Sequence, residues 1–240
     1  MIIVSFSGID GAGKSTQISA LETWLQSSGL RTRLLTFWDD VVCFSRHREF
    51  MSLKAFKGDA GVGSPENPLH RRDKNVSSGP LTLARLGLYF ADALSLCFKV
   101  RQAKKSDADV VIFDRYIYDE LANLPLTHQP VRFFAQFILK LVPQPDIAYV
   151  VDADPVGAQA RKPEYPLDFV CRNREAYLNL ARLSGNITVV APDSILAMKT
   201  RIRNEMVQKL AQTASPLRKH HSASSAPNPA NISSGELIEP

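Results

Sequence analysis

The chain has 240 residues, 45% of them apolar and 22% charged, with a formal net charge of +5. This balance suits one sizeable α/β domain, or at most two small ones; the mild basic excess is compatible with phosphates or nucleic acid and specifies neither. Three dispersed cysteines, Cys43, Cys97 and Cys171, exclude a disulfide framework and a Cys-pair zinc site, and are expected as small buried hydrophobes in a reducing compartment.

Met1 to Gly8 has no basic n-region, so Ile2 to Phe6 reads as a first strand and not as a signal peptide. No stretch approaches the ~20 consecutive apolar residues of a spanning helix, and a cytoplasmic location is expected. From Ser15 the period becomes helical, with Ile18, Leu21, Trp24 and Leu25 on one face, and Gly29 stops the helix. Arg31 to Trp38 reads as a second strand, which completes a βαβ opening. Asp39 to Pro80 is rich in Gly, Pro and basic residues, with a short helix expected near Phe44 to Phe56 and a loop after it. A long amphipathic helix is predicted from Leu81 to Lys105, and a third strand from Val110 to Phe113 that ends at Asp114-Arg115-Tyr116.

Val131 to Leu141 reads as a helix closed by Pro143 and Pro145, and Ile147 to Val151 as a fourth strand ending at Asp152. A short segment with Arg161 and Lys162 follows, then a helix from Leu167 to Leu183 capped by Gly185, a fifth strand from Ile187 to Val190, and a last helix from Ser194 to Leu210. Beyond Gln212 the chain is Ser-, Ala- and Pro-rich with little apolar content. The expected organisation is a domain over 1–212 and a disordered tail over 213–240.

The strongest signal is Gly8-Ile9-Asp10-Gly11-Ala12-Gly13-Lys14-Ser15, which fits G-x-x-x-x-G-K-[ST] between a predicted strand and a predicted helix. Glycines let backbone N–H groups close on phosphates, and the helix start adds partial positive charge. Lys14 is placed to reach the β- and γ-phosphates, and Ser15 to put its hydroxyl on Mg²⁺. ATP with Mg²⁺ is therefore the expected ligand, held by Gly8, Asp10, Gly11, Ala12, Gly13, Lys14, Ser15 and Thr16.

Phe6-Ser7-Gly8-Ile9-Asp10-Gly11-Ala12-Gly13-Lys14-Ser15-Thr16-Gln17 closely resembles the opening of thymidylate kinases. Asp114-Arg115-Tyr116 is similar to that family's DRY motif, and Val151-Asp152-Ala153-Asp154-Pro155 to its approach to the lid. The resemblance covers about residues 1 to 211 and implies a P-loop NTPase three-layer α/β fold. That fold has a five-stranded parallel sheet, helices on both faces and a short lid. It implies ATP- and Mg²⁺-dependent phosphorylation of a small phosphorylated acceptor, thymidine monophosphate in the family, and a homodimer, since family members commonly pair.

By the same resemblance Asp10 faces the acceptor, Asp114 assists Mg²⁺ through water, and Arg115 clamps the acceptor phosphate with its bidentate fork. Arg161, with Lys162, closes over the transferring group. Because Gly11 stands where some members carry a loop arginine, the lid must supply the catalytic cation. Phe90 stacks on the acceptor base. The residues also admit plainer readings: Asp114 as a turn residue, Arg115 in a surface ion pair, Arg161 and Lys162 on a solvated face. Phe90 keeps core spacing with Leu86, Tyr89, Ala93 and Leu94.

Three positions depart from the family. Ser7 replaces an acid before the first loop glycine, Phe37-Trp38-Asp39-Asp40 replaces an arginine–glutamate–proline turn, and Leu94 or a neighbour replaces a base-reading arginine. Those departures keep open a kinase of the same fold acting on another nucleotide, a nucleoside or a small phosphorylated metabolite. A third alternative is an ATP-binding regulatory protein with little catalysis. A nucleic-acid partner is disfavoured, because the basic residues are scattered without aromatic interleaving.

Overall fold

The computed structural model describes residues 1–43 and 79–222, with side chains described over 1–43 and 83–213. Five parallel strands form one sheet in the order β2-β3-β1-β4-β5. The strands are β1 (Ile2–Ser7), β2 (Thr32–Thr36), β3 (Val110–Asp114), β4 (Ile147–Val151) and β5 (Ile187–Val190). β1 sits at the centre and is buried along its whole length, as a Val- and Ile-rich strand covered on both faces must be.

Helix α1 (Lys14–Ser27) packs with the last helix, α7 (Ile195–Ser222), on one face. The other face carries α2 (Gly79–Ala103), α3 (Ile117–Leu121), α4 (Gln129–Leu141) and α6 (Leu167–Ser184), while α5 (Pro155–Arg161) follows β4 and packs on α6. Right-handed crossovers then run leftward on one face and rightward on the other. The strand order therefore reverses between β1 and β3, and the crevice beyond their carboxyl ends is where such sheets bind ligands. The α/β, P-loop-type sheet expected from the sequence is the observed one. Among the described residues no helix is long and apolar enough to cross a membrane.

Several boundaries differ from expectation. β2 stops at Thr36, and Phe37–Val41 form a π-helical turn in place of the extended run to Trp38. Asp40 accepts the Thr36 N–H at 2.7 Å and Val42 donates to the Phe37 carbonyl at 3.0 Å, so local acceptors capture the backbone that a strand would have used. The turn is tied to α2 by Ser95 Oγ on the Val41 carbonyl (2.6 Å) and by the Cys43 N–H on Asp92 (2.7 Å). Helix α3 was not anticipated. The last helix passes Leu210 and continues to Ser222, so the boundary expected after Gln212 falls inside it. The helix expected at Phe44 to Phe56 and its loop lie outside the described residues. None of the three cysteines is fully buried: Cys43 and Cys97 are half-buried and Cys171 is exposed.

Candidate active site

The loop from Gly8 to Gly13 leaves the central strand and turns directly into α1. Gly8, at φ 134°, lies against β4, where a Cβ would come within 3.3 Å of the Val151 carbonyl carbon and closer still to its oxygen. Gly11, at φ 77°, lies against α5, where a Cβ would stand 2.9 Å from the Ala158 carbonyl carbon. Only a residue without a side chain permits both approaches. Gly13, at φ 90°, has open space around its missing Cβ and serves as the N-cap of α1. Lys14 is buried with its ammonium inside the loop, donating to the carbonyls of Gly8 and Ile9 at 2.8 Å each. Burial, and then the Arg115 charge, lower its pKa to about 8. Ser15 and Thr16 are exposed in the first turn of the helix, beside the loop amides.

The end of β3 meets this loop in register, Phe6 opposite Asp114. Arg115 continues the ladder through its N–H to the Phe6 carbonyl (2.9 Å), yet its φ is 70°. Among the described residues it is the one non-glycine with positive φ, a strain of about 1–2 kcal/mol for an L residue. Its guanidinium spans two carboxylates, Asp10 of the loop and Asp119 of α3 (2.7 Å). Burial opposes the guanidinium charge, but Asp119, Tyr177 and Asp10 outweigh it and raise the pKa. Asp114 is half-buried; burial raises its pKa, with Arg115 and Lys14 acting against the rise.

On the far side of the loop, α5 lies over Gly11. Asp154 caps this helix by accepting the Gly157 N–H at 2.8 Å, and Arg174 of α6 grips Asp152 with two bonds of 2.6 and 2.7 Å. The segment from Asp152 to Lys162 is thus held at its root. From it Arg161 Nε donates to the Gly11 carbonyl at 2.8 Å, and Lys162 Nζ comes within 3.9 Å of Asp10 and 3.3 Å of Glu164. Both side chains are exposed.

The fold therefore brings Asp10, Lys14, Asp114, Arg115, Arg161 and Lys162 to one loop. Phe90 is a different case. It is 39% exposed and stacks on Phe137 of α4 at 6.3 Å, and Leu94 on the same outer stripe is 49% exposed. The core reading of Phe90 is thus overturned: Tyr89, Ala93 and Leu96 supply the buried face of α2. Among the described residues the ring contact of Phe90 is with Phe137, away from the loop and Arg115.

The sequence reading marks Ser7 only as a departure from the family and does not reach Asp119 or Tyr177. The available signal was the i,i+4 spacing of Arg115 and Asp119, a common ion-pair interval on helices; nothing local points to Tyr177, which arrives from α6. Among the described residues no group of three or more His, Cys, Asp or Glu could hold a metal. Any Mg²⁺ here would need phosphate oxygens and water to complete its shell, its usual habit at nucleotide sites.

No protein-family model matches the chain. It is 31% identical over 201 residues to the "Probable thymidylate kinase" of Pyrobaculum aerophilum, covering 77% of this chain and 85% of that protein. It is 26% identical over 214 residues to the "Probable thymidylate kinase" of Methanosphaera stadtmanae, covering 86% and 98%. Against the thymidylate kinase of Bifidobacterium longum the identity is 26% over 218 residues, with 85% and 97% covered. Among solved structures, the thymidylate kinase of Ehrlichia chaffeensis superposes with a TM-score of 0.54 at 17% identity, over 85% of this chain and 98% of that one, a likeness of fold.

Proposed function

The chain belongs to the thymidylate kinase family of P-loop kinases, and from that premise we propose that it transfers the γ-phosphoryl group of ATP, with Mg²⁺, to thymidine monophosphate, giving dTDP and ADP. The observation that carries this reading is the Arg115 guanidinium, fixed between Asp10 and Asp119 at the mouth of the phosphate loop. A loop that only bound nucleotide would need no second cation preset beside it.

The residues present fit the donor and the ion. Gly8 and Gly11 leave no room for a Cβ, Gly13 leaves the helix start open, and Ser15 is exposed beside it. Ser15 and Asp114 would hold Mg²⁺, whose charge neutralises the β- and γ-oxygens when bound. Lys14 would leave the loop carbonyls for those same oxygens. Arg115 would take two oxygens of the acceptor phosphate, and Arg161 would meet the charge spread over the transferring group. An acceptor phosphate oxygen attacks the γ-phosphorus, the bond to the β–γ bridging oxygen breaks, and ADP leaves. With a second pKa of about 6, the phosphomonoester is already deprotonated at neutral pH, so no side chain has to accept a proton. Positioning and charge neutralisation then account for the rate.

One observation favours a second reading. By the resemblance, Leu94 or a neighbour stands where the family reads the base with an arginine, and Leu94 is an exposed hydrocarbon; a pocket without that donor discriminates weakly between bases. A coupled ADP-release assay over thymidine, deoxyuridine, deoxycytidine and adenosine monophosphates and their nucleosides separates the two. Thymidine monophosphate turned over no better than the rest would overturn the first reading and leave the second.

The homodimer implied by the resemblance has an apolar face available. Phe90, Leu94 and Phe98 follow helical spacing along the outside of α2, and Phe133 and Phe137 widen the stripe on α4.

A further inference from the structure

Behind Arg115 lies a carboxylate that the reaction does not touch. Asp119 is buried, and each of its oxygens is filled from two sides. Oδ1 accepts from Arg115 Nη1 and from the Tyr177 hydroxyl, both at 2.7 Å. Oδ2 accepts from the Ser7 hydroxyl at 2.6 Å and from the Tyr116 N–H at 3.2 Å. The donors come from the end of β1, from the turn after β3 and from α6, so the carboxylate is set by three separate parts of the fold. A buried carboxylate engaged from four directions cannot swing freely.

Asp10, the other partner of Arg115, is shared among cations: Lys14 and Lys162 each come within 3.9 Å of it. Arg115 is the one cation within ion-pair distance of Asp119 among the described residues. The Arg115 backbone is also strained, and strain persists only where the surroundings over-determine it. Ser7, at the position where the family carries an acid, contributes a hydroxyl to the same cluster, and the carboxylate stands 2.6 Å away on α3.

We propose that Asp119 is the positioning residue that presets the Arg115 fork for the acceptor phosphate, with Ser7 and Tyr177 holding it in place. This rests on the proposed function in taking an acceptor phosphate as the partner of Arg115. Asp119 acts through Arg115 and touches no substrate.

The experiment compares wild type, Asp119→Asn, Arg115→Ala and the double variant, each with ATP–Mg²⁺ and the best acceptor of the panel. Asp119→Asn should raise the acceptor KM about tenfold to a hundredfold, the cost of freeing one side of a buried charge pair, with the ATP KM moving less than about twofold. In the Arg115→Ala background the same substitution should add nothing to the acceptor KM, because the residue it acts through is gone. Exchanging the pair, Ser7→Asp with Asp119→Ser, keeps one carboxylate and one hydroxyl in the cluster and should recover most of what Asp119→Ser alone loses.

Additive effects in the double variant, an equal rise in the ATP KM, or an exchange no better than Asp119→Ser would each overturn the proposal. If Asp119→Asn does not fold, Ser7→Ala and Tyr177→Phe remove one donor each and should raise the acceptor KM about two- to fivefold; no change in either would count against it. A readout without substrate is the guanidinium NMR signal of Arg115, slowed in rotation in wild type and averaged in Asp119→Asn. If the wild type turns over no acceptor, the proposed function fails, while the NMR arm still decides whether Asp119 holds Arg115.

Discussion

Replacing Gly11 by alanine tests how the lid meets the loop. Gly11 has φ 77°, and an added Cβ would lie 2.9 Å from the Ala158 carbonyl carbon and 3.1 Å from its Cα, nearer still to the carbonyl oxygen. Gly29 supplies the reference: its φ is 79°, and nothing lies within 4 Å of the Cβ it lacks. Gly29→Ala should therefore cost only the left-handed strain, about 1–2 kcal/mol, or roughly 2–8 °C in Tm for a chain of this size. Gly11→Ala carries the same strain plus the collision. The loop is fixed by β1 at one end and α1 at the other, whereas α5 spans only Pro155–Arg161, so the helix is the part that yields. Its retreat breaks the Arg161 bond to the Gly11 carbonyl and, in the role proposed for Arg161, carries the cation off the transferring group. A displacement near 1 Å of a positioned group can cost about 10²-fold in rate. The expected outcome is a Tm close to that of Gly29→Ala and a kcat lower on the order of 10²-fold, read by thermal unfolding and the coupled assay. A Gly11→Ala enzyme with wild-type kcat would refute the idea that lid contact and catalysis share this packing.

Three other outcomes are expected. Because burial lowers the Lys14 pKa to about 8, ATP affinity of the free enzyme, measured by calorimetry, should fall about tenfold per pH unit above that value if the charged form alone binds. The sign for stability is opposite: between about 8 and the ordinary 10.5 the unfolded chain holds a proton that the folded one lacks, so this group adds stability as pH rises through that window. Arg161→Ala should lower kcat on the order of 10³-fold with the ATP KM little changed, as removal of an arginine finger does; a large KM effect instead would make Arg161 a ground-state binder. If copies pair through the exposed apolar stripe of α2 and α4, as proposed, Phe98→Asp with Phe133→Asp should lower the mass in light scattering from two chains to one, since pairing would bury a charge in an apolar face. A two-chain mass unchanged by the substitutions, or a wild type that is already monomeric, would overturn pairing through this face.

Much of the architecture was legible in the residues. β1, β3 and β4 read as strands because their Ile- and Val-rich runs are short and end in turn residues, and a strand buried on both faces is built mostly of apolar residues. The phosphate loop was legible for a related reason. Its function needs a backbone that only glycine adopts, with a lysine at a set distance along the chain, so the requirement is itself local.

Other features depended on residues far apart in sequence. Extended propensity at Phe37 and Trp38 lost to the Asp40 side chain and to anchors on α2. Phe90 kept core spacing, yet α2 turns that stripe outward, because Tyr89, Ala93 and Leu96 face the core. The cluster around Asp119 joins positions separated by 112 and 58 residues, Ser7 and Tyr177. A loop whose geometry is set by its own glycines can be read from the chain alone. A carboxylate held by donors on three separate segments, with a guanidinium against it, exists only after the sheet has assembled and α6 has packed upon it, since the bonds from Ser7 and Tyr177 depend on long-range closure.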